Sequence, residues 1–195
     1  CVVHWGDGNT STITTYNDAA WTHTYSSAGT YTIYITGIVN GIFFNGAGDR
    51  LKLLNISQWG NFNPGNNGNW FNGCANLTIS AVDKPDLTSV TTMNAAFRDC
   101  SSLTTIPNFT SWNTSAVTNI SSLFKGCILY NQNFNALNFT SVISVAEILQ
   151  NASSYNQPIS WTLGGCNSIF AILQGASSFN SSISITSTIN IIDAR

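Results

Sequence analysis

The chain repeats itself from about residue 59 onward, and nothing else limits its fold so strongly. A segment that recurs every roughly 20–50 residues is one supersecondary unit, which must stack on its neighbours to bury a core. The segments align on a Phe or Leu followed three residues later by Cys or Ala: Phe71 with Cys74, Phe97 with Cys100, Phe124 with Cys127, Leu149 with Ala152, Leu173 with Ala176. Successive spacings are 26, 27, 25 and 24. Other columns keep the same phase. Val90, Val117, Val142 and Cys166 stand seven residues before the Phe/Leu, and Pro85, Trp112, Leu137 and Trp161 five before those. Trp59 fits the latter column one unit earlier.

Each unit reads as a short helix followed by a strand. Val117, Ile120, Leu123 and Phe124 fall at i, i+3, i+6 and i+7, one face of a helix. Ser89, Ser115 and Ser141 precede the three starts, where a hydroxyl caps free N–H groups. Gly126 and Gly175 follow the apolar run, the place of a left-handed C-cap. Leu103–Ile106 and Gln157–Trp161 then read as extended. The expected fold is α+β: a solenoid of about 24–27-residue helix–strand units over residues 38–195. Its core is Phe71, Phe97, Phe124, Leu149 and Leu173, with Val90, Val117, Val142 and Cys166 and the small positions Cys74, Cys100 and Cys127. The array is expected to run past residue 195, since Ile189 and Ile191–Arg195 start a fresh helical unit.

Composition narrows function more than fold. Charged residues are 7% of the chain, against about 25% in an average soluble domain, and the net charge is −2. That leaves no electrostatic footprint for nucleic acid or an anionic membrane surface. No apolar run approaches the ~18 residues of a membrane span. Acid–base catalysis needs His or carboxylates held together. There is one Glu, Glu147, seven dispersed Asp, and two His, His4 and His23, both in the first 25 residues. No G-x-S-x-G, HExxH or CxxC motif is present, and no catalytic residue or cofactor is expected.

Five Cys is an odd number for a disulfide framework. Cys74, Cys100 and Cys127 share a column continued by Ala152 and Ala176, so they read as free, small, buried side chains. Cys166 reads as a small hydrophobe, and Cys1 as a residue in mid-strand. Asp7 and Asp18 are weak calcium candidates, because Asp-Gly turns form without metal. His4 and His23 read as packed and hydrogen-bonded. Nine Asn-x-Ser/Thr sequons begin at Asn9, Asn55, Asn76, Asn108, Asn113, Asn119, Asn138, Asn151 and Asn180, close to what chance gives with 25 Asn in a Ser/Thr-rich chain.

Residues 1–37 do not repeat. Cys1–Val3 is apolar, Trp5-Gly-Asp-Gly8 makes a tight turn, and Tyr31–Thr36 alternates as a half-buried strand. Trp5-Gly-Asp-Gly8 together with His23-Thr-Tyr25 and Ala28-Gly-Thr-Tyr31 resembles the PKD-like β-sandwich module, a binding or spacer domain of surface proteins. The resemblance implies that only the module's later strands are here: the sequence is a fragment, or another chain supplies the first strands. Gly37–Gly41 marks the expected boundary.

The repeat has its own resemblance. Val-Thr-x-[Ile/Met]-x-x-[Leu/Ala]-Phe, then Gly/Asp-Cys, then Tyr/Phe-Asn-Gln, then Trp resembles the repeat of BspA-like leucine-rich-repeat surface proteins. It is also similar to Mycoplasma-type lipoprotein repeats. The lead-in from Asn45 to Gly60 is similar to the segment that opens such arrays. The resemblance covers residues 38–195 and implies a leucine-rich-repeat-like solenoid. It also implies extracellular display and adhesion or recognition, without catalytic residues to carry over. The expected function is a non-enzymatic surface protein that binds a protein or glycan on another cell. The alternative is a structural subunit of an extracellular filament, sheath or virion fibre, whose partners are neighbouring subunits.

Overall fold

The computed structural model describes residues 1–187. Among them are nine strands of two to five residues, three single 3-10 turns and no α-helix. The chain divides into two compact units, Cys1–Asn40 and Gly41–Arg195.

In the first unit, β1 (Val2–His4) is the centre of an antiparallel sheet between β2 (Thr10–Thr12) and β3 (Tyr34–Thr36). Val3 faces Ser11 on one side and Ile35 on the other. The hairpin turns at Trp5-Gly-Asp-Gly8, where the Trp5 N–H donates to Asn9 O at 3.1 Å. Gly6 must be glycine: its φ is +83°, and a Cβ there would meet the Thr32 carbonyl oxygen at 2.6 Å. Val3, Trp5 and Ile13 form the small core, with Trp21, Tyr25 and Ile35 packed against it. The expected β-sandwich portion is corrected to a single three-stranded sheet plus β4 (Val39–Asn40). Between β2 and β3 the backbone bonds locally instead of to a second sheet, as where Asp18 caps the 3-10 turn Ala19–Trp21.

The second unit holds β5 (Asn55–Ile56), β6 (Phe62–Asn63), β7 (Thr78–Ile79), β8 (Ile159–Leu163) and β9 (Ile183–Ser187). β5 pairs in parallel with β7 and β8 with β9. Single parallel bridges link Thr92, Asn119, Ser144 and Ser168 in succession. Successive repeats therefore lie in register, but the helix of each repeat does not form, and the expected helix–strand leucine-rich-repeat solenoid is overturned. The chain here is short strand and turn.

The hydrogen bonds show why. The N–H groups of Ala95, Phe97 and Asp99 donate to Ser121, Leu123 and Lys125 of the next repeat at 2.9, 3.0 and 2.7 Å. The intervening N–H groups of Ala96, Arg98 and Cys100 donate back three residues, to Met93, Ala95 and Phe97. Ser122 through Cys127 repeat this alternation. Half the donors are thus spent between repeats and half on tight turns, which leaves none for the i→i−4 bonds of an α-helix. Two left-handed residues per repeat complete the interruption. Two before each Phe/Leu stand Asn69, Ala95, Ser122, Glu147 and Ala171, with φ of 52, 51, 55, 57 and 51°. Two after stand Gly73, Asp99, Gly126, Asn151 and Gly175, with φ from 56 to 77°. Consecutive three-residue turns space apolar side chains at i and i+3, as a helix does, so the period alone does not separate them. Gly126 and Gly175 are left-handed, yet they end no helix.

The columns meet in the core. Phe71, Phe97 and Phe124 stack at 5.7 and 5.8 Å between centroids, and Tyr130, Tyr155 and Phe179 at 6.3 Å. Pairs of this geometry add about 0.5–1.5 kcal/mol each beyond burial. The expected continuation at Ile189 and Ile191–Arg195 lies outside the described residues.

Candidate functional site

The core residues named from the sequence lie as follows. Phe71, Phe97, Phe124, Leu149, Val90, Val117, Val142, Cys74, Cys100, Cys127 and Cys166 are buried. Leu173 is half-buried. All five cysteines are free thiols. The Cys100 and Cys127 thiols donate to the Phe71 and Phe97 carbonyls of the preceding repeats at 3.1 and 2.9 Å. Burial pushes the Cys74 thiol up to about 12 against the pull of Arg50, and raises Cys100 and Cys127 as well. All three thiols are buried, so in this structure they fill space in the core.

The calcium candidates are engaged by the protein itself. Asp7 accepts from the Asn9 N–H at 3.0 Å and lies 2.7 Å from His23 Nε2. Partial desolvation pushes its carboxyl up, but the Asn9 and His23 hydrogen bonds and the His23 charge outweigh this and hold it at about 2. Asp18 accepts from the Ala20 and Thr14 N–H groups and the Thr14 hydroxyl, and the Ala20 bond is the main cause of its lowered pKa. Among the described residues, no three His, Cys, Asp or Glu gather as metal ligands. His23 stacks on Trp5 at 4.9 Å and meets Tyr25 edge-on, while Tyr25 donates to the Trp5 carbonyl at 2.9 Å. His4 stacks on Tyr34 at 4.1 Å. These contacts tie the tight turn to the segment from His23 to Tyr31.

The feature that sequence reasoning missed is a strip beside the Phe/Leu column. Between residues 87 and 187 the chain has four charged residues: Arg98, Asp99, Lys125 and Glu147. The fold gathers all four at the same turn of three successive repeats. Arg98 Nε donates to Asp99 Oδ2 at 3.2 Å. Lys125 Nζ donates to Glu147 Oε2 at 2.8 Å, and the Ser122 hydroxyl donates to the same oxygen at 3.0 Å. The Lys125 hydrogen bond is the main cause that lowers the Glu147 carboxyl, and the Arg98 charge assists it. Asp99 crosses to the next repeat and lies over Gly126, where a Cβ would collide with its carboxylate. Arg50 lies over Gly73 in the same way. Glu147, the chain's one Glu, occupies a left-handed position, a backbone cost that only surrounding contacts sustain. Only part of the signal stood in the sequence: Arg98, Lys125, Gln150 and Gln174 all directly follow the Phe/Leu column, but Glu147 stands two residues before it.

Residues 66–186 match the family described as Mycoplasma protein of unknown function, DUF285, and the chain belongs to that family. No curated protein and no solved structure matches the chain. No helix among the described residues is long and apolar enough to cross a membrane.

Proposed function

We propose that this chain is a non-enzymatic, extracellular surface protein that recognises a protein or glycan on another cell. One observation carries the reading: repeats 87–187 keep their charge to a single strip, and most of their other exposed side chains are amide or hydroxyl, broken by a few apolar ones such as Ile128, Leu129 and Ile143. Asn131, Asn156 and Asn180 form one such row. The Asn131 amide oxygen accepts from the Asn156 N–H at 2.8 Å, and the Asn156 amide oxygen from the Asn180 N–H at 2.7 Å. Surfaces preordered in this way lose little entropy on binding. The relation of the matched family to BspA-like repeat proteins supports the same reading. The test applies the purified chain to a glycan array, a panel of matrix proteins and intact cells. Saturable binding to one class is the expected result. Absence of binding to all three defeats the proposal.

A second reading, a subunit of an extracellular filament, sheath or virion fibre, is favoured by the same scarcity of charge. Copies with so few charges repel each other little. Its mark would be concentration-dependent polymers in sedimentation and electron microscopy.

A further inference from the structure

The repeats act as controls for one another. What folding requires at a given column it requires in each repeat, so a departure that costs stability calls for another explanation. The two positions after the Cys/Ala column read Ala75-Asn76, Ser101-Ser102, Ile128-Leu129, Ser153-Ser154 and Ser177-Ser178. The first serine has a structural task. Ser101 Oγ donates to the Ala75 carbonyl of the preceding repeat at 3.1 Å, and Ser153 Oγ to the Ile128 carbonyl at 3.2 Å. Neither Ala75 nor Ile128 has a hydroxyl with which to make that bond, but only Ile128 puts a large apolar side chain in its place. Ile128 is 45% exposed and Leu129 48% exposed, so much of their apolar surface stays in water. The repeat thus forfeits a hydrogen bond and leaves apolar area wet, and neither loss helps the fold.

The departure sits beside the charged strip. Asp99 lies over Gly126, only two residues before Ile128. Asp99 in turn holds Arg98 by Nε alone, and the terminal nitrogens of Arg98 make no hydrogen bond among the described residues. The Arg98 side chain is 41% exposed. Its open edge can take a carboxylate through two N–H groups. Lys125, by contrast, is already spent on Glu147.

We propose that Arg98, Asp99, Ile128 and Leu129 form a docking site for a partner protein that presents an apolar side chain next to a carboxylate. The inference rests on the recognition reading above and chooses protein over glycan at this site. Branched aliphatic side chains beside an arginine suit a protein contact, where apolar anchors and Arg dominate the energy. An acidic sugar would use Arg98 and gain little from Ile128 or Leu129.

The test uses a random-peptide display library on the 195-residue chain. The enriched peptides are expected to carry Asp or Glu beside Leu, Ile, Met or Phe. Against the I128S/L129S variant, and separately against R98A, they should bind about tenfold or more weakly. The I128S/L129S variant restores the serine pair of the flanking repeats, so its melting temperature should be unchanged or higher. Three results overturn the proposal: no enrichment, peptides indifferent to both variants, or a marked loss of stability in I128S/L129S, which would make the pair a packing element. Binding of an acidic glycan that R98A abolishes and I128S/L129S leaves intact also overturns it. If the chain still binds cells after both changes, this site fails while the broader recognition reading stands.

Discussion

Asp99 rests its carboxylate on Gly126, one repeat further along the chain, in the space a side chain would otherwise fill. Asn151 rests on Gly175 in the same way, so in this column an Asp or Asn alternates with a glycine. Gly126→Ala carries two costs. The backbone there has φ of +73°, which an L-residue adopts at about 1–2 kcal/mol. The methyl also displaces Asp99 and its hold on Arg98. Asp99→Gly removes the second cost only. A double-mutant cycle by chemical denaturation should show coupling of about 0.5 kcal/mol or more, with G126A less harmful when Asp99 is absent. Additive effects would mean that the two residues do not press on each other.

Phe124 is fully buried among other rings of the core. It stacks on Tyr130 at 4.0 Å and on Phe97 at 5.8 Å, and tilts against Phe134 at 5.5 Å. Phe124→Ala should cost about 3–5 kcal/mol, read from the denaturant midpoint at constant slope. A loss below about 1 kcal/mol would place Phe124 outside the core.

The contrast between these columns and the missing helices shows what a sequence of this kind discloses. Burial needs only periodicity, so Phe71, Phe97, Phe124 and the Val positions could be placed without knowing the backbone. The backbone itself was hidden, because a three-residue turn and a helical turn present apolar groups at nearly the same interval. Glycine or asparagine at Asn69, Gly73, Gly126, Asn151 and Gly175 did hint at left-handed positions. Ala95, Glu147 and Ala171 concealed the pattern, since Ala and Glu are good helix formers. The charged strip was hidden for another reason. Lys125 and Glu147 are 22 residues apart and meet only when the repeats are set in register.

That pair sets a pH dependence. Glu147 titrates below its ordinary value of 4.5 in the folded protein, chiefly because Lys125 donates to it. A carboxyl lowered by folding adds stability that is fully present above its unfolded pKa. That stability is lost as pH falls through the folded pKa. The Glu147 contribution should therefore disappear below pH 4.5, and that of Asp7 lower still, between 3.8 and about 2. Lys125→Met should flatten the upper part of the acid limb and leave the Asp7 part in place. Unchanged stability profiles from pH 7 down to 3 would show that the pair contributes nothing to folding.

Two tyrosines offer a test by deletion. Tyr130 and Tyr155 are buried, and neither hydroxyl has a hydrogen-bond partner among the described protein groups. Burial raises the pKa of both. A buried hydroxyl without a partner pays desolvation and gains no bond, so its removal is neutral or favourable. Tyr130→Phe and Tyr155→Phe should hold the melting temperature or raise it. A loss of more than about 1 kcal/mol in either would assign that hydroxyl a bond.

The left-handed column separates turn from helix by the sign of one substitution. In a helix, Ala→Gly costs about 0.5–1 kcal/mol, because glycine gives up more backbone freedom on folding. Ala171 instead holds φ of +51°, a conformation that penalises any Cβ. It is only half-buried, so its methyl contributes little packing. Relief of the strain should exceed the entropic loss, and Ala171→Gly should stabilise the protein by up to about 1 kcal/mol. Ala95 has the same φ but is buried, and Ala95→Gly gives up packing as well, so its gain should be smaller. Thermal denaturation of the two variants beside the parent reads the sign directly. If both were destabilised by the amount typical of a helix interior, residues 95 and 171 would be right-handed, and the alternation of bonds within and between repeats could not stand.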